Sequence, residues 1–390
     1  MNFDIIYNRE NTRAIKIERK KILFKTEDVI PLWVADMDFA VADPIQEALK
    51  NRINHPIFGY TFQDDEFFDS IVNWQQKRHN WSISERSISV VNGVIPALAL
   101  SIQALTDEGD KIMIQPPVYH PFFELIKTNK RQIVENPLIN SNGEYSIDFD
   151  DMERSFADGV KLIILSNPHN PVGKAWTSDE INKLVSLCVK YDVKIISDEI
   201  HSDLIMSGKK HIPVASTSKE AADITITCMA PTKSFNIAGL AIAYTIIENR
   251  HLRKAYRNKL NSLHLSLGNT LGTEALIAAY NHGEEWLDSA IDYIKENTKY
   301  IFDFVENNIP EISISKNEAT YLLWFDFNKL GLNHQDLKQF LINDAKLGLN
   351  QGSEFGEQGN GFARINVATS RIIIEKAMQQ LKDAVDKLKS

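Results

Sequence analysis

Cysteine is nearly absent from this chain: Cys188 and Cys228 are the two among 390 residues. They show neither the close pairing of a thiolate metal site nor the density of a disulfide scaffold, and both read as core residues. No apolar run approaches the ~20 residues that a membrane-spanning helix needs. The N-terminus lacks the basic flank and apolar core of a secretory leader, so a cytoplasmic protein is expected. Positive charge is also scarce. Lys and Arg number 43 against 52 Asp and Glu, leaving a formal charge of −9, and no basic block is long enough to follow a nucleic-acid backbone. Internal repeats and low-complexity segments are lacking too. What remains is ordinary globular material, 43% hydrophobic and 24% charged, long enough for two or three domains with sizeable cores.

The pattern of that material changes along the chain. Up to about Lys25 it reads as an irregular arm. A helix is predicted from Asp43, read as its N-cap, through Ile53. From Ser87 to Ile247, short β-branched runs alternate with helical stretches, the signature of a parallel sheet covered by helices. The predicted strands are 87–91, 111–115, 161–166, 194–197, 223–228 and 241–247. Helices are predicted over 96–105 and 178–190, the latter opened by the capping-box spacing of Thr177 and Glu180. Past Thr273 the chain turns helical to Asn307. A strand at 321–327, a Gly-rich loop at 348–361, a strand at 363–367 and a closing helix then make a smaller second domain. In that helix Ile374, Met378, Leu381, Val385 and Leu388 form one apolar stripe.

In an open parallel sheet ligands bind beyond the carboxyl ends of the strands, so the residues there belong together. After the first strand, Asn92-Gly93-Val94-Ile95-Pro96 is a glycine turn opening a helix, and its free N–H groups suit a phosphate. After the second, Pro116-Pro117-Val118-Tyr119 aims an aromatic ring over the sheet edge. Asn167-Pro168-His169-Asn170-Pro171-Val172-Gly173 follows the third strand and supplies the Asn170 amide. The fourth leads into Ser197-Asp198-Glu199-Ile200-His201, with a carboxylate at Asp198. The fifth leads to Ala230-Pro231-Thr232-Lys233-Ser234, where Lys233 stands on a connection between apolar strands. A lysine in such surroundings loses its proton more readily and can attack an aldehyde. Each residue alone has a bland reading: a snorkelling lysine, a helix cap, a packed tyrosine. Together an amine, a carboxylate, an aromatic ring, an asparagine and a phosphate turn match pyridoxal 5′-phosphate. Lys233 would take the aldehyde, Asp198 the pyridine nitrogen, Tyr119 the ring face, Asn170 the phenolic oxygen, and Val94 and Ile95 the phosphate.

These motifs, with Trp33-Val34-Ala35-Asp36-Met37-Asp38-Phe39 and the stretch Lys233 to Leu240, resemble the fold-type I pyridoxal-phosphate enzymes of the class I/II aminotransferase superfamily. Within it they are similar to the cystathionine β-lyase group called MalY/PatB, and the likeness covers nearly the whole chain. The resemblance implies a three-layer α/β fold with a mainly parallel sheet in a large domain over 48–285. A smaller α+β domain would be built from 1–47 and 286–390. It further implies a homodimer with shared active sites, Tyr60 reaching the partner's phosphate, and Arg364 clamping the substrate α-carboxylate, a task suited to a guanidinium. Thr232 and His201 would stand beside the cofactor, and Ala35, Asp36 and Tyr321 beside the substrate. No metal is implied.

The chain also departs from the superfamily. Gly239-Leu240-Ala241 stands where aminotransferases usually carry a phosphate-binding arginine, a gap the lyase-like branch shares. Ala230 stands where a serine is common, His201 where many relatives have tyrosine, and residues 12–17 lack a tryptophan usual in the group. The function implied is carbon–sulfur β-lysis: Lys233 removes the α-proton, a thiolate leaves Cβ with help from Tyr119 or Tyr60, and pyruvate and ammonia follow. Two other readings stay open at this point, an aminotransferase on the same fold and a regulatory protein that has kept it.

Overall fold

The computed structural model describes residues 1–389. Seven strands make its large sheet: β1 Ile88–Val91, β2 Lys111–Ile114, β3 Gln132–Glu135, β4 Val160–Ser166, β5 Lys194–Asp198, β6 Thr225–Met229 and β7 Ala243–Ile246. Their order in space is β1-β7-β6-β5-β4-β2-β3. All pairings from β6 across to β3 are parallel, whereas β7 runs antiparallel to both neighbours. With that one antiparallel strand the sheet is mainly parallel, as the resemblance implies. The link from β6 to β7 contains only turns and a short 3₁₀ segment, Ala238–Leu240, in place of a crossover helix, so the chain returns beside β6 in the opposite direction. Strand β3 escaped prediction because its ends, Gln132 and Glu135, are exposed at the sheet edge.

Strand β4 shows why its sequence is uniformly apolar. Leu162 and Ile164 pack on one face with residues of helices Val94–Leu105 and Arg250–Ser262. Ile163 and Leu165 pack on the other with Phe149–Ala157 and Ser178–Lys190. All four are completely buried, as expected of a strand covered on both faces. Registers Ser166↔Asp198 and Asp198↔Cys228 bring the carboxyl ends of β4, β5 and β6 level, so the loops after them open at one edge.

A second sheet of four antiparallel strands has the order Ser313–Ile314, Leu322–Asp326, Phe362–Asn366, Asn350–Gln351. The closing helix Arg371–Lys389 packs by its predicted stripe: Ile374, Met378, Leu381 and Val385 are buried, and Leu388 is left exposed. The capping box of Thr177 and Glu180 forms as its spacing predicts. Asp43 is not an N-cap; it is the first helical residue after Ala42, with Pro44 in the same turn. The arm is not wholly irregular, since it holds two short helices, Ile15–Glu18 and Lys20–Phe24. The helical stretch after residue 270 is two helices, Thr270–His282 and Glu284–Asn308, meeting at Gly283. A Cβ at Gly283 would lie 2.5 Å from the Phe235 ring, so only glycine lets the junction approach the core.

Among the described residues no helix is long and apolar enough to cross a membrane and no cluster suits a metal ion. Both cysteines are free and buried. Leu381→Ala, which empties a fully buried position in the closing helix, should cost about 2–5 kcal/mol, read as a lower urea midpoint at unchanged slope.

Candidate active site

At the level edge of β4, β5 and β6 lies a pocket of about 180 Å³. Gly93, Val94 and Ile95 form one wall, at the first turn of helix Val94–Leu105. Gly93 has φ +143°, a backbone conformation that side-chain-bearing residues seldom adopt, and it delivers the helix's first N–H groups to the pocket. Tyr119, Asn170, Asp198, His201, Thr232 and Lys233 also line it. The strand ends thus bring together eight of the residues singled out in the sequence. A larger cavity of about 480 Å³ under the N-terminal arm contains none of them.

Lys233 Nζ donates to the Ala35 carbonyl at 2.6 Å, and Tyr321 Oη donates to the same oxygen at 2.9 Å. Burial, and next the Arg364 charge, lower the amine from its ordinary value to about 8. Asp198 is 6% exposed and its Oδ1 accepts the Ile200 N–H at 3.3 Å. With no cation in ion-pair contact among the described residues, burial pushes its carboxyl up to about 7, against the pull of that hydrogen bond and of Lys233. His201 is buried with Nδ1 unpartnered, its ring centroid 6.1 Å from that of Tyr321, and burial holds it neutral. Burial likewise raises the Tyr119 phenol.

Arg364 reaches the pocket through Asn170. Its Nη1 donates to Asn170 Oδ1 at 3.0 Å, and Nη2 donates to Asn350 Oδ1 at 2.7 Å and to the Trp33 carbonyl at 3.0 Å. Every acceptor is neutral and Nε has no partner; burial lowers the guanidinium to about 10. A buried cation without a carboxylate is poised to receive an anion.

Ala35 also lines the pocket, and Tyr321 meets it through the Ala35 carbonyl that it shares with Lys233, whereas the Asp36 carboxylate is turned into an ion cluster. Arg9 binds Asp36 at 2.5 Å and Asp38 at 2.7 Å, and the buried Lys16 binds Asp38 at 2.7 Å. Tyr60 is 96% exposed and touches no part of its own chain's pocket. Sequence reading missed the residues that hold the 33–39 segment over the site. Asn366 Nδ2 donates to the carbonyls of Val34 and Asp36, both at 2.6 Å. The Asn236 amide binds Met37 N–H and the Met37 and Phe39 carbonyls. Asn236 and Asn366 each stand within three residues of a predicted site residue, which was the available signal; Arg9 and Lys16 gave none.

The pocket fits pyridoxal phosphate on its own chemistry. A buried carboxyl without a cation awaits a protonated ring nitrogen, a buried amine awaits an aldehyde, and free helix N–H groups await a phosphate. Comparison with known proteins agrees. The family model for aminotransferase class I and II matches residues 27–381. The chain is 41% identical over 386 residues to cystathionine beta-lyase PatB of Bacillus subtilis, covering 99% of this chain and 100% of that protein. It is 33% identical to Protein MalY of Escherichia coli, covering 98% of each. Among solved structures, cystalysin of Treponema denticola, which contains pyridoxal 5′-phosphate, superposes with TM-score 0.96 at 35% identity over 99% of both chains. The pyridoxal-phosphate-bound C-S lyase of Staphylococcus hominis gives 0.92 at 35%, covering 99% of this chain and 98% of that one.

The raised Asp198 pKa has a consequence for stability. Between the ordinary aspartate value and about 7 the folded protein holds a proton that the unfolded chain has lost, so stability falls as pH rises through that window. For Lys233 the sign is opposite: its contribution is complete above the ordinary lysine value and is lost as pH falls through about 8. Asp198→Asn should therefore flatten the lower slope and raise the melting temperature of protein stripped of pyridoxal phosphate at pH 7.5. A pH series of thermal melts checks this.

Proposed function

From the premise that the chain belongs to the aminotransferase class I and II family, we propose that it is a pyridoxal-phosphate-dependent carbon–sulfur β-lyase. Its substrates would be L-cystathionine or related cysteine S-conjugates. The observation that carries this reading is the meeting of Lys233, Asp198 and Arg364 around one small pocket. Lyase relatives at 41% and 32% identity over nearly the full chain support the carbon–sulfur specificity. So does Gly239-Leu240-Ala241, which leaves no arginine just after the lysine.

Bound pyridoxal phosphate supplies an electron-withdrawing ring that weakens the bonds at the substrate α-carbon. Asp198 would keep the ring nitrogen protonated, Asn170 would hold the phenolic oxygen, and Tyr119 would cover the ring. Val94, Ile95 and Thr232 would receive the phosphate. His201, neutral in its buried setting, would stand beside the cofactor without adding charge. Arg364 orients the substrate by its carboxylate, so that the Cα–H bond is presented to Lys233. With its proton affinity lowered to about 8, Lys233 Nζ gives up its own proton more readily than an ordinary lysine and so can serve as the base that takes the substrate's. The thiolate then departs from Cβ, with Tyr119 placed to assist, and takes up a proton as the free thiol; water hydrolyses the remaining enamine to pyruvate and ammonia.

Residues 48–285 form the cofactor-holding part in this reading. Residues 1–47 and 286–390 form the part that presents Ala35, Tyr321 and Arg364. A homodimer completes the site. Tyr60 lies in a stretch where Ile57, Phe58 and Phe62 are also exposed, and a second copy covering that surface would carry Tyr60 to the partner's phosphate.

Purified protein loaded with pyridoxal phosphate and given L-cystathionine, with no keto acid, should release pyruvate and free thiol in equal amounts. Amino transfer that requires a keto acid, with neither product, would make it an aminotransferase instead. Lys233→Ala should lower kcat by about 10²–10⁴-fold or more; turnover at the wild-type rate would refute the role of the lysine. Arg364→Lys, which replaces a fork with a point charge, should raise KM about 10–100-fold in steady-state assays.

A further inference from the structure

Immediately after each of the two central side chains stands a fully buried polar residue that the proposed reaction does not use. Glu199 follows Asp198 and Ser234 follows Lys233. Ser234 Oγ donates to Asp203 Oδ2 at 2.6 Å. Asp203 Oδ1 accepts Trp74 Nε1 at 3.1 Å and lies 3.2 Å from His79 Nε2. Glu199 Oε1 accepts the Ser197 hydroxyl at 2.7 Å and the Val214 N–H at 3.0 Å; its Oε2 lies 2.7 Å from His211 Nε2. The two histidine rings meet edge to face, centroids 5.2 Å apart. One line of contacts thus runs from Ser234 to Ser197 through four ionisable groups, none more than 7% exposed.

Burying two carboxylates and two imidazoles is costly, and apolar side chains of similar volume would hold a core at least as well. What the four groups supply is direction. Asp198 belongs to β5, where the ladder to β6 fixes it. Lys233 stands four residues beyond the end of β6, outside that ladder. Its turn is anchored through its neighbours: Asn236 binds residues 37–39 and Ser234 binds Asp203, which follows β5. Burial alone would raise the Asp203 carboxyl, but His79, Ser234 and Arg78 together hold it below its usual value, so it remains an anionic acceptor.

We propose that Asp203 and Glu199, each seated on a histidine, are positioning residues that fix Lys233 relative to Asp198 across the pocket, Asp203 acting on the lysine through Ser234. The inference rests on the pyridoxal phosphate reading and deepens it.

The test is a double-mutant cycle on protein loaded with pyridoxal phosphate, reading the dissociation constant of the cofactor and the visible circular dichroism of its bound form. Ser234→Ala and Asp203→Asn should each raise the dissociation constant about tenfold and shrink the dichroic band. The double variant should be no worse than the weaker-binding single, because both changes remove one contact. An unchanged constant and band in Ser234→Ala, or a multiplied loss of about a hundredfold in the double variant, would overturn the proposal. Should Asp203→Asn not fold, His79→Gln takes its place with the same expected pattern, and Ser234→Ala, which deletes one hydroxyl, decides the outcome alone. Wild-type protein that binds no pyridoxal phosphate would refute the reading of the pocket itself, which separates the two failures.

Discussion

The hydrogen bond from Lys233 Nζ to the Ala35 carbonyl is the contact on which the rest of the site depends. It joins the loop after β6 to a segment almost two hundred residues earlier in the chain. A lysine there with no acceptor would place an unsatisfied ammonium in a buried pocket, at a cost of several kcal/mol. The carbonyl reduces that cost without adding a negative charge, so burial still governs the amine and its proton is held loosely. A carboxylate in the same place would have held the proton firmly and spoiled the lysine as a base.

The 33–39 segment that provides this carbonyl joins the two sheets. Strand Phe362–Asn366 grips it from one side through Arg364 and Asn366, and Asn236 grips it from the other. Arg9 and Lys16 hold its two aspartates outside the pocket, which keeps negative charge away from the place where a substrate carboxylate must settle. Its backbone is therefore as much a part of the site as any side chain. The guanidinium of Arg364 is held by neutral acceptors alone, and that leaves its charge available.

Lys233, Asp198 and Arg364 also answer one another electrostatically. Arg364 lowers the proton affinity of Lys233, while Lys233 restrains the rise of Asp198. The amine and the carboxyl consequently titrate near neutrality from opposite directions, as suits an acid and a base that work in one pocket.

The strand ends and their chemistry were legible in the sequence because sheet edge and chain order coincide: residues just after β1, β2, β4, β5 and β6 must gather at one edge once the strands are parallel. Local chemistry likewise exposed the capping box at Thr177 and most of the final helix's stripe. Sequence reading failed where the physics is non-local. Edge strand β3 has little burial to mark it, and β7 is antiparallel because of a missing crossover rather than its own composition. Asp36 was expected beside the substrate until the fold supplied Arg9 and Lys16, whose cationic character says nothing of which anion they will meet. The buried line from Ser234 through Asp203, His79, His211 and Glu199 draws on four separate segments, so no local pattern could announce it. The sequence by itself determined which chemical groups this protein has and which end of its sheet they crowd. Tertiary structure alone decided their charge states and partners, because desolvation and hydrogen bonding depend on neighbours that only folding brings together.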